Sequence, residues 1–115
     1  MSRPPLVAGS LLLALVLGAA LTSCSGQGSG SLAGQACAHI ERGITAADEA
    51  ASRPAQAARL RAEALAQIRV AVPLAAVAAG EDTTWQALEA TLSESSRVPL
   101  RYLLPALQAQ CAGVG

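Results

Sequence analysis

The sequence predicts an all-α fold: a small antiparallel four-helix bundle, disulfide-stapled, that follows a signal peptide and a flexible tether. Three observations predict it. From residue 32 to residue 111, apolar residues recur at spacings of three and four, and no alternating β-branched segment suggests a sheet. Pro, Gly and Ser punctuate that recurrence into four stretches. Two cysteines, Cys37 and Cys111, lie near opposite ends of the helical region.

The first helix carries Leu32, Ala36, Ile40, Ile44, Ala47 and Ala51 on one face, with Cys37 on its flank. Ser52-Arg53-Pro54 breaks the pattern, because proline suits the first turn of a new helix. In the second helix Ala58, Arg61, Leu65, Ile68, Val72, Ala75 and Ala79 form a long stripe. Leu60, Ala64, Val70, Leu74 and Val77 widen it, while Gln56, Arg59, Glu63 and Gln67 make the wet face. Pro73 should kink this helix, since its ring meets the carbonyl of Arg69. Gly80 suits its end. Thr83 and Gln86 fit a capping box for a third helix, which buries Trp85, Leu88 and Leu92. After the turn Ser95–Pro99, Leu100, Leu103, Leu104, Leu107 and Cys111 give a fourth face, kinked or restarted at Pro105.

Composition narrows the function classes. The 115 residues suffice for one small domain, and the 8 basic and 8 acidic side chains cancel. A nucleic-acid binder needs a basic surface, so none is expected. Every basic side chain except His39 is Arg, and Lys, Phe and Asn are absent, a bias that a high-GC genome explains. Much of the apolar content is Ala, which forms helices well but buries little area per residue. A thin core of this kind gains from a covalent staple.

The first residues carry a different message. Met1–Pro5 holds one side-chain charge, Arg3, and residues 6–21 are uncharged and mostly apolar. That is the layout of a secretory signal, and the run falls short of the roughly 20 residues of a membrane-spanning helix. Nothing after Cys24 is expected to have the length of a second span. The run closes on Leu21-Thr22-Ser23-Cys24, followed by Ser25-Gly26-Gln27-Gly28-Ser29-Gly30-Ser31. The closing tetrad resembles the bacterial lipobox: an aliphatic residue, two small residues, then cysteine. The resemblance implies a diacylglyceryl thioether on Cys24 and cleavage between Ser23 and Cys24. Two acyl chains hold a protein stably on a membrane where one does so only marginally. The implied partner is therefore membrane lipid through Cys24, and the implied location is the extracytoplasmic face of the cell membrane.

These features set the expected boundaries: signal peptide 1–23, Gly/Ser-rich tether 24–33 and helical domain 34–113. About ten tether residues span roughly 15–20 Å on average. In an exported domain Cys37 and Cys111 read as one disulfide, against free thiols or metal ligands. The mature segment, from Trp85-Gln86-Ala87-Leu88 to Gln110-Cys111, also resembles small exported helical proteins of high-GC actinobacteria. That resemblance implies no activity.

Other chemistry finds weak footing. Cys37-Ala38-His39 invites a metal, yet helix residues two apart point roughly 200° from each other and converge poorly on one ion. His39 is expected on a wet face, with no metal and no cofactor. No Gly-x-Ser-x-Gly elbow and no Cys-x-x-Cys turn is present, and no enzyme is expected. Trp85 reads as core rather than as a stacking platform. Glu81, Asp82, Glu89 and Glu94 make a mildly acidic solvated patch, while Arg97 and Arg101 offer two charges to an anionic lipid or a partner. Two functional classes remain. One is an interaction or structural domain that meets an envelope protein partner. The other is a small-ligand-binding lipoprotein with a pocket between helices near Pro73.

Overall fold

A computed structural model describes residues 28–114. The signal peptide, the cleavage residues Ser23 and Cys24, and the tether up to residue 27 lie outside the described residues. Within them the chain is all-helical. Four α-helices, α1 (Ser29–Ser52), α2 (Ala57–Glu81), α3 (Gln86–Ser93) and α4 (Leu100–Cys111), are joined through 3₁₀ turns at Pro54–Gln56, Thr83–Trp85 and Glu94–Ser96.

Helix α1 begins at Ser29, with extended Gly28 as its N-cap, and so takes in residues 29–33 that the sequence reading gave to the tether. The Gly28 carbonyl closes the first turn, accepting from the Ser31 N–H at 3.1 Å and the Leu32 N–H at 3.3 Å. Ala33, one turn in, is fully buried and fixes the start. The far end behaves as expected. Arg53 precedes a proline, which disfavours helical dihedrals, and it sits at φ −130° and ψ 77°.

Helices α1 and α2 form a long antiparallel hairpin. His39 meets Gln67, Gly43 lies against Ala64 and Ile68, and Ala50 clusters with Ala57 and Leu60. Buried small residues recur every seven positions on both sides: Ala36, Gly43 and Ala50 in α1, and Ala57, Ala64, Ala71 and Ala78 in α2. A heptad period keeps one seam facing its partner, and small residues let the two backbones approach closely.

That seam corrects the expected stripe of α2. Ile68 and Ala75 are buried as expected, but Ala58 and Arg61 are exposed and Leu65, Val72 and Ala79 are half-buried. Val70 and Val77, expected to widen the apolar face, are 47% and 52% exposed. The reason is steric: the closest backbone approach selects alanines, not the larger apolar residues that draw the eye in the sequence. In α1, Ala36 and Ile40 are buried as expected, while Ala51 is exposed.

Helix α3 packs on α2 and α4, and α4 packs on α1 and α3. The largest fully buried side chains are Ile40, Ile68, Leu92 and Leu107, one from each helix. They mark the centre of the bundle. The tip of the hairpin holds only the small cluster of Ala50, Ala57 and Leu60.

Several local expectations change. Both α2 and α4 run without a break through Pro73 and Pro105, so α4 does not restart. Both prolines are exposed, where water can satisfy the carbonyls they leave unpaired. Gly80 does not adopt a positive φ, and α2 continues to Glu81. The expected Thr83–Gln86 capping box gives way to Asp82, whose carboxylate accepts from the Thr84 N–H at 2.9 Å. Asp caps more strongly than Thr and stands one residue earlier. Finally, an 18-residue window within Pro54–Glu81 reaches a mean hydropathy of 1.4. By length and composition this stretch suffices to cross a membrane, contrary to the expectation for the region after Cys24. Its alanines raise the hydropathy, and α2 spends its buried ones on the seam with α1.

Candidate functional site

The two distant cysteines come together. Cys37 of α1 and Cys111 of α4 lie 5.5 Å apart at Cα, with their Sγ atoms at a bonding distance of 2.10 Å. Both are buried, in one cluster with Ala36, Ile40 and Leu107. The pair has the geometry of a disulfide. It joins the start of the domain to its end, across 74 residues of sequence.

His39 is half-buried, and its Nδ1–H donates to Gln67 Oε1 at 2.7 Å. The imidazole thus ties α1 to α2 at the edge of the seam. Among the described residues no group of three His, Cys, Asp or Glu side chains gathers as a metal site. The hydroxyls of Thr45, Thr91 and Ser93 donate back to carbonyls four residues earlier in their own helices. That is the ordinary behaviour of Ser and Thr inside helices.

Trp85 is half-buried rather than fully in the core, and its indole N–H is enclosed without a partner. Leu88 and Leu92, expected beside it, are buried. Gln110 links α4 to α3 by donating from Nε2 to Thr91 Oγ1 at 3.0 Å. Within the acidic patch, Asp82 has its pKa lowered from the ordinary 3.8, first by the Thr84 backbone N–H that its charged form accepts. Of the two arginines expected to meet anions, Arg97 is paired with Glu94. Arg101 instead lies over its neighbour Tyr102, 4.8 Å from the ring centre, and donates to the Tyr102 hydroxyl at 3.0 Å.

Besides a concavity of about 340 Å³ that sets Asp48 beside Arg101 and Leu104, three others follow from this packing, and their chemistry differs. One, of about 530 Å³, lies between α1 and α2 and carries Glu41, Glu49 and Glu63 with Arg42. A second, of about 640 Å³, runs past Leu65, Arg69, Pro73 and Leu92. It stands where a ligand pocket was expected. The third, of about 410 Å³, is bounded by α1 at Ala47, by α2, by the end of the α3–α4 connection and by the start of α4. Its floor is apolar, with Leu65, Val98, Leu100 and Leu104, and Arg61 and Arg101 border it. Arg61 falls on the long stripe expected of α2 yet is exposed at the edge of this groove. Its partner across the groove is forty residues away in the chain, so only the tertiary fold brings the two together.

Comparison of the chain with protein-family models, with curated proteins and with solved structures finds no match in any of the three.

Proposed function

We propose that the chain is a membrane-anchored lipoprotein of the extracytoplasmic face, whose helical domain serves as an interaction or structural module. The observation that carries this reading is the tetrad Leu21-Thr22-Ser23-Cys24, placed at the end of an uncharged apolar run. The approach of Cys37 to Cys111 supports it, because disulfides persist in exported proteins. In this reading Cys24 is acylated, residues 1–23 are removed, and α1 starts within five residues of the lipid. The four helices run as an antiparallel bundle, with α3 and α4 folded over the anchor-proximal part of the hairpin. The exposed side chains of Val70, Val77 and Tyr102 offer apolar contacts to an envelope protein partner.

Acyl labelling tests the anchor. Cells expressing the full chain are fed an alkyne fatty acid, and the chain is followed through detergent-phase partitioning. Wild type is expected to carry the label and enter the detergent phase, and Cys24→Ser is expected to carry none. Equal labelling of the two would contradict the anchor.

A further inference from the structure

The groove bordered by Arg61 and Arg101 has a composition that the interaction reading does not use. Leu65, Val98, Leu100 and Leu104 are half-buried and line an apolar trough of about 410 Å³, within the range of small-molecule sites. No acidic residue lines it. Among the described residues the one ion pair is Arg97–Glu94, so neither Arg61 nor Arg101 has a carboxylate partner. The groove between α1 and α2 has the opposite character, with three glutamates, and an adjoining concavity that shares Ala47, Arg101 and Leu104 with the trough holds Asp48. The trough's own lining thus carries two cations and no carboxylate, in a domain that is close to neutral.

We propose that this groove binds a single-chain anionic amphiphile of the fatty-acid class. The acyl chain lies along Leu65, Val98, Leu100 and Leu104, and the carboxylate is held by Arg61 and Arg101. Guanidinium forks match a carboxylate's two oxygens, and charge-assisted hydrogen bonds of this kind are about twice as strong as neutral ones. Two cations suit one small anionic head, and the apolar floor calls for a tail. A polyanion would find too little charge, and an extended peptide would find few polar groups for its backbone, Ser95 being the one uncharged polar side chain in the lining.

The amphiphile is a free one rather than a bilayer lipid. Ala47 of α1 lines the groove eighteen residues beyond Ser29, roughly 27 Å of helix rise from the start of α1. This last step rests on the anchored reading, in which the start of α1 is nearest the membrane.

Photolabelling of the full chain in its native membranes tests the proposal. Three diazirine probes are compared: palmitate, the matching fatty alcohol, and a phosphatidylcholine with the diazirine in its acyl chain. Palmitate is expected to label peptides containing residues 61–65 or 95–104, and unlabelled palmitate is expected to compete. The Arg61→Gln/Arg101→Gln double variant should lose about tenfold or more of that labelling. Both side chains are exposed, and an unchanged far-UV circular dichroism melt confirms that the variant folds. Equal labelling by the alcohol, unchanged labelling of the double variant, or labelling confined to other residues would overturn the proposal. Groove labelling by phosphatidylcholine equal to that by palmitate would overturn it in favour of bilayer contact. The mass of the peptide that starts at Cys24, read in the same digests, reports separately on the anchor.

Discussion

Two glycines in the same helix provide a matched test of the α1–α2 seam. Gly34 and Gly43 both lie within α1, so Gly→Ala brings each about 1 kcal/mol of helix propensity. Their surroundings differ. A Cβ on Gly34 would meet only Val114 Cγ1, at 4.0 Å, which is ordinary contact. A Cβ on Gly43 would stand 3.2 Å from the Ala64 carbonyl oxygen and 3.3 Å from Ile68 Cδ1. Ile68 is fully buried and the Ala64 oxygen belongs to the facing backbone, so neither yields easily. Overpacking of this sort costs about 1–3 kcal/mol. Set against the propensity gain, Gly43→Ala should destabilise by about 1 kcal/mol. Gly34→Ala should stabilise by about 0.5–1 kcal/mol. Urea unfolding, followed by circular dichroism and Trp85 fluorescence, should then separate the two midpoints by about 1–2 M. If Gly43→Ala stabilises as much as Gly34→Ala, the seam is not held at backbone contact and the heptad of small residues has no packing role.

Three further outcomes are expected. Cys37→Ser/Cys111→Ser removes a cross-link over 74 residues. It should lower stability by about 4 kcal/mol in the loop-closure account, read as a fall in melting temperature of about 15–30 °C. Leu92→Ala empties a fully buried site where α3 meets the core, and chemical denaturation should show a loss of about 2–5 kcal/mol. Asp82 has a folded pKa below its ordinary value, so its contribution to stability is full above that ordinary value and is lost as pH falls through the lowered one. A carboxyl NMR titration should place its midpoint below 3.8, and Thr84→Pro, which removes the donor N–H, should raise it.

The helical class was legible because its signals are local. Pro54 and Pro99 stand at the starts of new helical segments, and Ile40, Ile68, Leu92 and Leu107 fall on the buried faces expected of them. The seam was harder to read. In an Ala-rich helix apolar residues occur on every side, so periodicity barely distinguishes Ala57-Ala64-Ala71-Ala78 from the neighbouring stripe through Leu65 and Val72. Backbone proximity decides between them, and it depends on Gly43 of the other helix. The capping error has a similar origin. Asp82 and Thr83 are both good caps, and the turn geometry after Glu81 selects the first. Of the candidate site, the cysteine pair was readable from its count and context. The groove was not, since Arg61 and Arg101 come to line one concavity only after α4 returns to α1 and α2.

The most direct test of the anchored, cross-linked account is the intact mass of the chain purified from its native membranes, taken with and without reduction before thiol alkylation. The account predicts a chain that starts at Cys24, carries a diacylglyceryl adduct and takes up alkylating agent at Cys37 and Cys111 only after reduction. An uncut N-terminus would contradict the anchor, and two thiols alkylated without reduction would contradict the staple.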